Sequence, residues 1–231
     1  SIAALSDDTS HGPIDENTPI EPGKSVSTYA QSKLLAEIEI QKGIEQGLNA
    51  VIVNPGVILG ISAKMTGSGE LFKRVKKGLP FYTYGKTAYV DVRDVSRAMI
   101  LLMNSDISGE RYVLAGENCA HKDVLRWMAD GYHVYRPFIG FGKSLIPVAG
   151  LLEIMGIFFG FAPLLDRSSA LTSISTKEYS SRKFLSTFDF TFTPIRQCIG
   201  EMCEFDRNHP KSAVIDKSNH PKSAVIDKKR T

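Results

Sequence analysis

Cysteine is scarce: the chain has three, Cys119, Cys198 and Cys203, among 231 residues. They form no Cys-x-x-Cys pair and keep no ligand-like spacing with any of the five histidines. That argues against a disulfide framework and against a metal site. Reduced, buried thiols are the expectation. Charge of one sign is lacking too, with 28 Lys and Arg against 25 Asp and Glu. No basic run is interleaved with aromatics, so no nucleic-acid partner is expected. Lys73-Arg74 and Lys76-Lys77 alternate with Leu71, Phe72 and Val75 and read as a solvated helix face. No nucleophile elbow, phosphate-binding loop or zinc motif appears. Nor does a G-x-G-x-x-G or G-x-x-G-x-x-G turn open a helix, the feature that brings backbone up to a pyrophosphate. Gly67-Ser68-Gly69 is too short for one and reads as a loop at a helix start. The first residues do not read as a signal peptide, and a cytoplasmic location is expected.

One long apolar run is present, over residues 144–165. Its length would suffice for a bilayer if it were one helix. Pro147, Glu153 and Pro163, with glycines at 150, 156 and 160, argue against that. Membrane contact is therefore not expected, and buried or substrate-covering helices are.

The remaining pattern alternates helix and strand. Residues 11–24 are rich in Pro, Gly, Asp and Asn and read as a loop. His11 in that loop reads as exposed, and Asp7-Asp8 and Asp15-Glu16 read as loop charges. A helix is predicted over 26–46, with Leu34, Leu35, Ile38 and Ile44 inward and Gly47 as its stop. Residues 50–53 read as a buried parallel strand. Helices follow over 67–78 and from Asp91, as N-cap, to Met103, the latter with Val95, Ala98, Met99 and Leu102 on one side. A strand over 110–115 and a helix over 121–129 come next. Residues 176–188 look weakly helical, and 194–205 form a helix with proline in its first turn. This order predicts an α/β architecture with a parallel sheet. At the end, NHPKSAVIDK occurs at 208–217 and again at 219–228. Two copies are too few for a solenoid, and this polar stretch is expected to be disordered.

Within the first helix, Tyr29 and Lys33 stand four residues apart in Tyr29-Ala30-Gln31-Ser32-Lys33, hence on one face. An ammonium beside a phenol favours the phenolate, which makes a poor acid usable near neutral pH. Around this pair stand Ser1-Ile2-Ala3-Ala4-Leu5, Val51-Ile52-Val53-Asn54-Pro55-Gly56-Val57-Ile58-Leu59-Gly60 and Tyr89-Val90-Asp91-Val92-Arg93-Asp94-Val95. In this order and spacing the set resembles the extended short-chain dehydrogenase/reductase family, the NAD-dependent epimerase/dehydratase group. The resemblance runs from Ser1 to about Cys203.

The resemblance implies an incomplete Rossmann-type parallel sheet with a small, mostly helical C-terminal substrate lobe. The corresponding division is 1–116 as part of the dinucleotide-binding domain with the catalytic helix, 117–206 as substrate lobe and 207–231 as tail. It implies NAD or NADP as cofactor and Ser1, Tyr29 and Lys33 as the catalytic set. Tyr29 would be the acid/base, Lys33 would also bond the nicotinamide ribose, and Ser1 would hold the substrate oxygen. Backbone at Pro55, Gly56 and Val57 would flank the nicotinamide. Asp91 and Asp94 are expected to cap and brace. The glycine-rich turn would lie upstream of Ser1, so the chain is expected to be the later part of an enzyme.

The stretch Tyr82-Thr83-Tyr84-Gly85-Lys86-Thr87-Ala88-Tyr89 lacks the arginine usual in sugar-nucleotide enzymes of the family. That, with the apolar later part, resembles the dihydroflavonol-reductase and 3β-hydroxysteroid-dehydrogenase branch. Oxidation or reduction of a secondary alcohol or ketone in a small apolar substrate is the favoured reading. A sugar-nucleotide epimerase or dehydratase, and a non-catalytic fragment or binding module, are the alternatives. The family admits a homodimer through the tyrosine helix.

Overall fold

The computed structural model describes residues 1–5, 12–19, 27–61, 69–144, 146–147 and 167–209. Most of the apolar run at 144–165, His11, Asp7-Asp8, Gly67-Ser68 and the duplicated tail beyond residue 209 lie outside them. Among the described residues no helix is long and apolar enough to cross a membrane.

A 3-10 turn, Ile2–Ala4, leads the chain, and α1 spans Thr28–Glu45. Ser27 caps α1: its hydroxyl accepts from the Ala30 amide at 3.1 Å, satisfying one of the orphan donors of the first turn. Gly47, at φ 98°, takes the left-handed conformation that ends it. Of the four residues the sequence places inward, Leu34 is buried, Ile38 and Ile44 are half-buried and Leu35 is 55% exposed, while Glu37 is buried beside them. A buried ionic group therefore does part of the docking that apolar residues were expected to do.

Strand β1, Ile52–Pro55, pairs in parallel with β5, Arg111–Leu114, in the register Ile52↔Arg111 to Pro55↔Leu114. The chain then changes partner. Strand β2, Val57–Leu59, runs parallel to β4, Lys86–Asp91, starting at Val57↔Tyr89. Gly56 makes the change possible. A Cβ there would meet the Ala88 carbonyl oxygen at 2.7 Å and its carbon at 2.9 Å, so the backbones touch where a side chain would stand. Strand β6, Glu117–Ala120, lies antiparallel on the other side of β4. A separate parallel pair joins β3, Phe81–Thr83, to β7, Ile139–Phe141. These short strands were not legible as such in the sequence.

Helices α2, Gly69–Lys76, α3, Val92–Met103, and α4, His121–Tyr132, lie between the strands in chain order. Then come α5, Arg167–Ile174, α6, Arg182–Thr187, and α7, Ile195–Asn208. Asp91 caps α3 as expected, accepting from the Arg93 amide at 2.7 Å. Asp94 is buried and braces α3 against the approach to α7 through the Thr193 amide at 2.6 Å. On α3, Val95, Ala98 and Leu102 are buried, but Met99 is 45% exposed. The expected helicity of 176–188 is confined to α6. The backbone before it is engaged elsewhere: Lys177 donates to Lys86 at 3.0 Å and Ser180 to Ile14 at 2.9 Å. Pro194 is the N-cap of α7 rather than a first-turn residue, and the Glu117 carboxylate receives the Ile195 amide at 3.1 Å.

The largest apolar cluster packs α2, α4 and α7 against β2 and β4 through Leu59, Phe72, Val124, Met128, Ile199 and Met202. A second, rich in aromatics, joins α3, β4 and β5 to Phe184, with Phe188, Phe190 and Phe192 at its margin. All three cysteines are free and buried, as expected. Burial pushes the Cys119 and Cys203 thiols up to about 12.

Candidate active site

The first half of α1 is open. Tyr29 is 59% exposed, and Lys33 stands one turn on with its Nζ 5.5 Å from the centre of the Tyr29 ring. The helical spacing thus brings the two together as anticipated, in a contact of cation–π range. Ser32, between them, turns its hydroxyl back to the Tyr29 carbonyl at 2.8 Å and stays out of the pair.

Ser1 caps the 3-10 turn, its Oγ accepting from the Ala3 amide at 3.3 Å. In that bond the hydroxyl is an acceptor, so its own proton is left to donate. The turn packs against both α1 and β1. Ser1 is fixed there through its main chain: Nδ2 of Asn54, on β1, donates to the Ser1 carbonyl at 3.1 Å.

Pro55, Gly56 and Val57 follow directly. The Gly56 amide donates to Leu114 O at 3.0 Å, the last link with β5 before the chain joins β4. Gly56 is buried, Pro55 half-buried and Val57 37% exposed. This turn lies at the carboxyl end of the parallel strand β1, the end at which open α/β sheets present their binding crevices.

Beneath these residues runs a buried polar chain. Glu37 accepts from Asn54 Nδ2 at 2.8 Å, and its other oxygen lies 2.6 Å from Arg111 Nε on β5. The Arg111 N–H is not aimed along that contact, so the pair is electrostatic rather than an aligned hydrogen bond. The Asn54 side-chain carbonyl is buried and accepts no hydrogen bond among the described residues. None of these three was a candidate from sequence. The available signals were an asparagine inside a β-branched run and a glutamate one turn past Lys33.

A second polar pair lies in the largest apolar cluster. Tyr89 Oη is 2.8 Å from His121 Nδ1, and burial pushes the phenol up and the imidazole down. Both favour the neutral form, so the pair reads as a satisfied core hydrogen bond. Among the described residues no group of three His, Cys, Asp or Glu is placed to hold a metal ion.

Known proteins resemble this chain in sequence and in fold. Residues 2–115, just under half of the chain, match the model of the NAD dependent epimerase/dehydratase family, and that stretch is similar to its members. A Synechocystis protein named after dihydroflavonol 4-reductase is 26% identical over 204 residues, spanning 83% of this chain and 57% of its own length. Cinnamoyl-CoA reductase 1 of Petunia hybrida is 26% identical over 212 residues, 87% of this chain and 56% of its own. Among solved structures, gox2253 is 30% identical with a TM-score of 0.76, covering 90% of this chain and 64% of that one. UDP-glucose 4-epimerase of Thermus thermophilus, solved with NAD, shares the fold at 19% identity and a TM-score of 0.63, over 90% of this chain and 61% of that one. The chain therefore spans 56–57% of these two curated relatives and 61–64% of these two solved structures.

Proposed function

We propose that this chain carries the proton-transfer site of an NAD(P)-dependent oxidoreductase acting on a secondary alcohol or ketone of a small, fairly apolar substrate. The observation that carries the reading is the Tyr29–Lys33 pair on the open half of α1, with the Ser1 turn docked on the same helix. The reductase names among its relatives point the same way. In this reading residues 1–116 serve the cofactor and residues 117–206 the substrate. The apolar cluster shared by α2, α4 and α7 would weld the two parts.

The residues present suit the nicotinamide end of a dinucleotide: a phenol and an ammonium side by side, a hydroxyl turn docked on the same helix, and a tight strand end at Pro55–Val57. When bound, the dinucleotide supplies or accepts the hydride. Tyr29 Oη gives its proton to the substrate oxygen as the carbonyl carbon is reduced, and takes it back in the reverse direction. Lys33 stabilises the phenolate left behind and offers its remaining N–H donors to ribose hydroxyls. Ser1 Oγ donates to the substrate oxygen and fixes it toward Tyr29. Gly56 lets the strand end lie close to β4, and a larger residue there would push Pro55 and Val57 out of place.

The test is consumption of NADH or NADPH with a panel of apolar ketones and aldehydes. Tyr29→Phe removes the proton donor and keeps the ring. Turnover is expected to fall by roughly 10²–10⁴. An unchanged rate would take Tyr29 out of the mechanism. Tyr29-dependent conversion of a sugar nucleotide without net cofactor consumption would move the assignment to epimerisation.

A further inference from the structure

We propose that Glu37 is a positioning residue for this site: its buried carboxylate sets the rotation of α1, and with it the placement of Tyr29 and Lys33 relative to Ser1. The inference rests on the proton-transfer reading above and adds to it a residue that touches no reacting atom.

Three observations lead to it. Residues 29, 33 and 37 lie one turn apart, and each step of four residues carries the stripe about 40° round the helix. The stripe therefore runs from solvent into the interior: Tyr29 is 59% exposed and Glu37 only 7%. Next, α1 buries little else. Leu34 is its other fully buried residue, Ile38 and Ile44 are half-buried, and Leu35 and Ile40 are 55% and 42% exposed. A long helix with so narrow an apolar footing is poorly held against rotation by packing alone. Last, Glu37 bonds to the elements that carry the rest of the site. Asn54 Nδ2 joins its carboxylate at 2.8 Å to the Ser1 carbonyl at 3.1 Å, and Asn54 directly precedes Pro55-Gly56-Val57. Arg111, from the neighbouring strand, balances its charge at 2.6 Å.

A carboxylate this buried is stable only with such partners, because an unpaired buried charge is costly. The geometry of the partners therefore dictates where Glu37 sits, and Glu37 dictates the helix azimuth. Side chains ride about 5–6 Å from a helix axis. A rotation of roughly 10° would then move Tyr29 by about 1 Å, and a displacement of that size costs on the order of 10²-fold in rate.

The experiment compares the wild type with Glu37→Gln, Asn54→Ala, Tyr29→Phe and the double variant Tyr29→Phe/Glu37→Gln. Melting curves establish folding. NAD(P)H turnover is measured on the ketone panel, and the ¹³Cζ resonance of Tyr29, assigned by its loss in Tyr29→Phe, is recorded without cofactor. Folded Glu37→Gln should lose on the order of 10²-fold in kcat with a nearly unchanged KM. It should shift the Tyr29 resonance and cost nothing further in the Tyr29→Phe background, since it acts through Tyr29. A folded Glu37→Gln with kcat within twofold of wild type and an unmoved resonance would overturn the positioning role, whatever Tyr29→Phe does. An equal loss in both backgrounds would also overturn it, by making Glu37 merely structural. If Tyr29→Phe itself costs nothing, the proton-transfer reading fails separately and the resonance alone decides Glu37. Should Glu37→Gln not fold, Asn54→Ala, which leaves the Glu37–Arg111 pair in place, is judged by the same two readouts.

Discussion

Replacing Gly56 by alanine tests the strand switch on which the site stands. The added Cβ would lie 2.7 Å from the Ala88 oxygen, 2.9 Å from its carbonyl carbon and 3.2 Å from its Cβ. Two of these three atoms are backbone of β4, and β4 is held on both sides, by β2 and by β6. Ala88 is fully buried, so the strand has no free volume to retreat into. The backbones must part by several tenths of an ångström, or the β1–β2 link must slide. Overpacking of this kind costs about 1–3 kcal/mol, and the backbone partner puts it toward the upper end. For a domain of this size each kcal/mol lowers Tm by about 2–4 °C, so a fall of about 4–12 °C is expected. Gly200→Ala is the internal control. Gly200 lies inside α7, a Cβ there meets nothing within 4 Å, and Gly to Ala in a helix interior gains about 0.5–1 kcal/mol. The assay is paired thermal and urea unfolding of the two variants. Gly56→Ala melting within a degree of wild type would refute the close approach of β1–β2 to β4.

Phe184 is fully buried against Tyr112, Phe188, Phe190 and Phe192, with ring centroids 5.1–6.3 Å away. Phe184→Ala should therefore cost about 3–5 kcal/mol in urea unfolding. The His121 imidazole is held below its ordinary value of 6.5 by burial. The unfolded chain then binds a proton that the folded chain refuses, so this contribution is complete above about pH 6.5 and is lost as pH falls toward the folded value. The urea midpoint should decline in that window for wild type and less so for His121→Gln. Cys119, Cys198 and Cys203 are buried and free. A thiol-specific disulfide reagent should titrate none of them in native protein at pH 8 and all three in guanidinium, and rapid native reaction would contradict their burial.

Much of this was legible in the residues. Gly47 and Asp91 marked helix ends because cap chemistry is local: each satisfies or terminates backbone groups within a few positions. Tyr29 and Lys33 were legible for the same reason, since a four-residue step fixes their relation whatever surrounds them. What depends on distant partners was not legible. Leu35 and Met99 fit their helical periods and yet face solvent, because no element packs over them among the described residues. The short strands β2, β3, β6 and β7 each hold three or four residues, too few to display an alternating pattern. Residues 176–181 have side chains compatible with a helix, but their backbone is engaged by Lys86 and Ile14. Glu37 went unnoticed because a glutamate on a helix is ordinarily a surface residue. Only Asn54 and Arg111, 17 and 74 positions further along the chain, make its burial tolerable.

The segment from Asn54 to Val57 shows how the local and the distant are joined. Asn54 faces back toward α1, bonding Glu37 and the Ser1 carbonyl. Two residues on, Gly56 gives its amide to Leu114 on β5 and its bare face to Ala88 on β4. The strand thus leaves one neighbour and takes another within a single residue, and its carboxyl end opens where the pairing changes. Open parallel sheets place their ligand crevices at the carboxyl ends of strands, and β1 ends here. The polar chain of Ser1, Asn54, Glu37 and Arg111 ties the tyrosine helix to that opening. In the proposed reading, this leaves Tyr29, 59% exposed, available to a substrate while the buried Glu37 holds the other half of its helix from inside. The separation of an open turn from a buried, ionic footing is what the proposed site needs to be both accessible and defined in position.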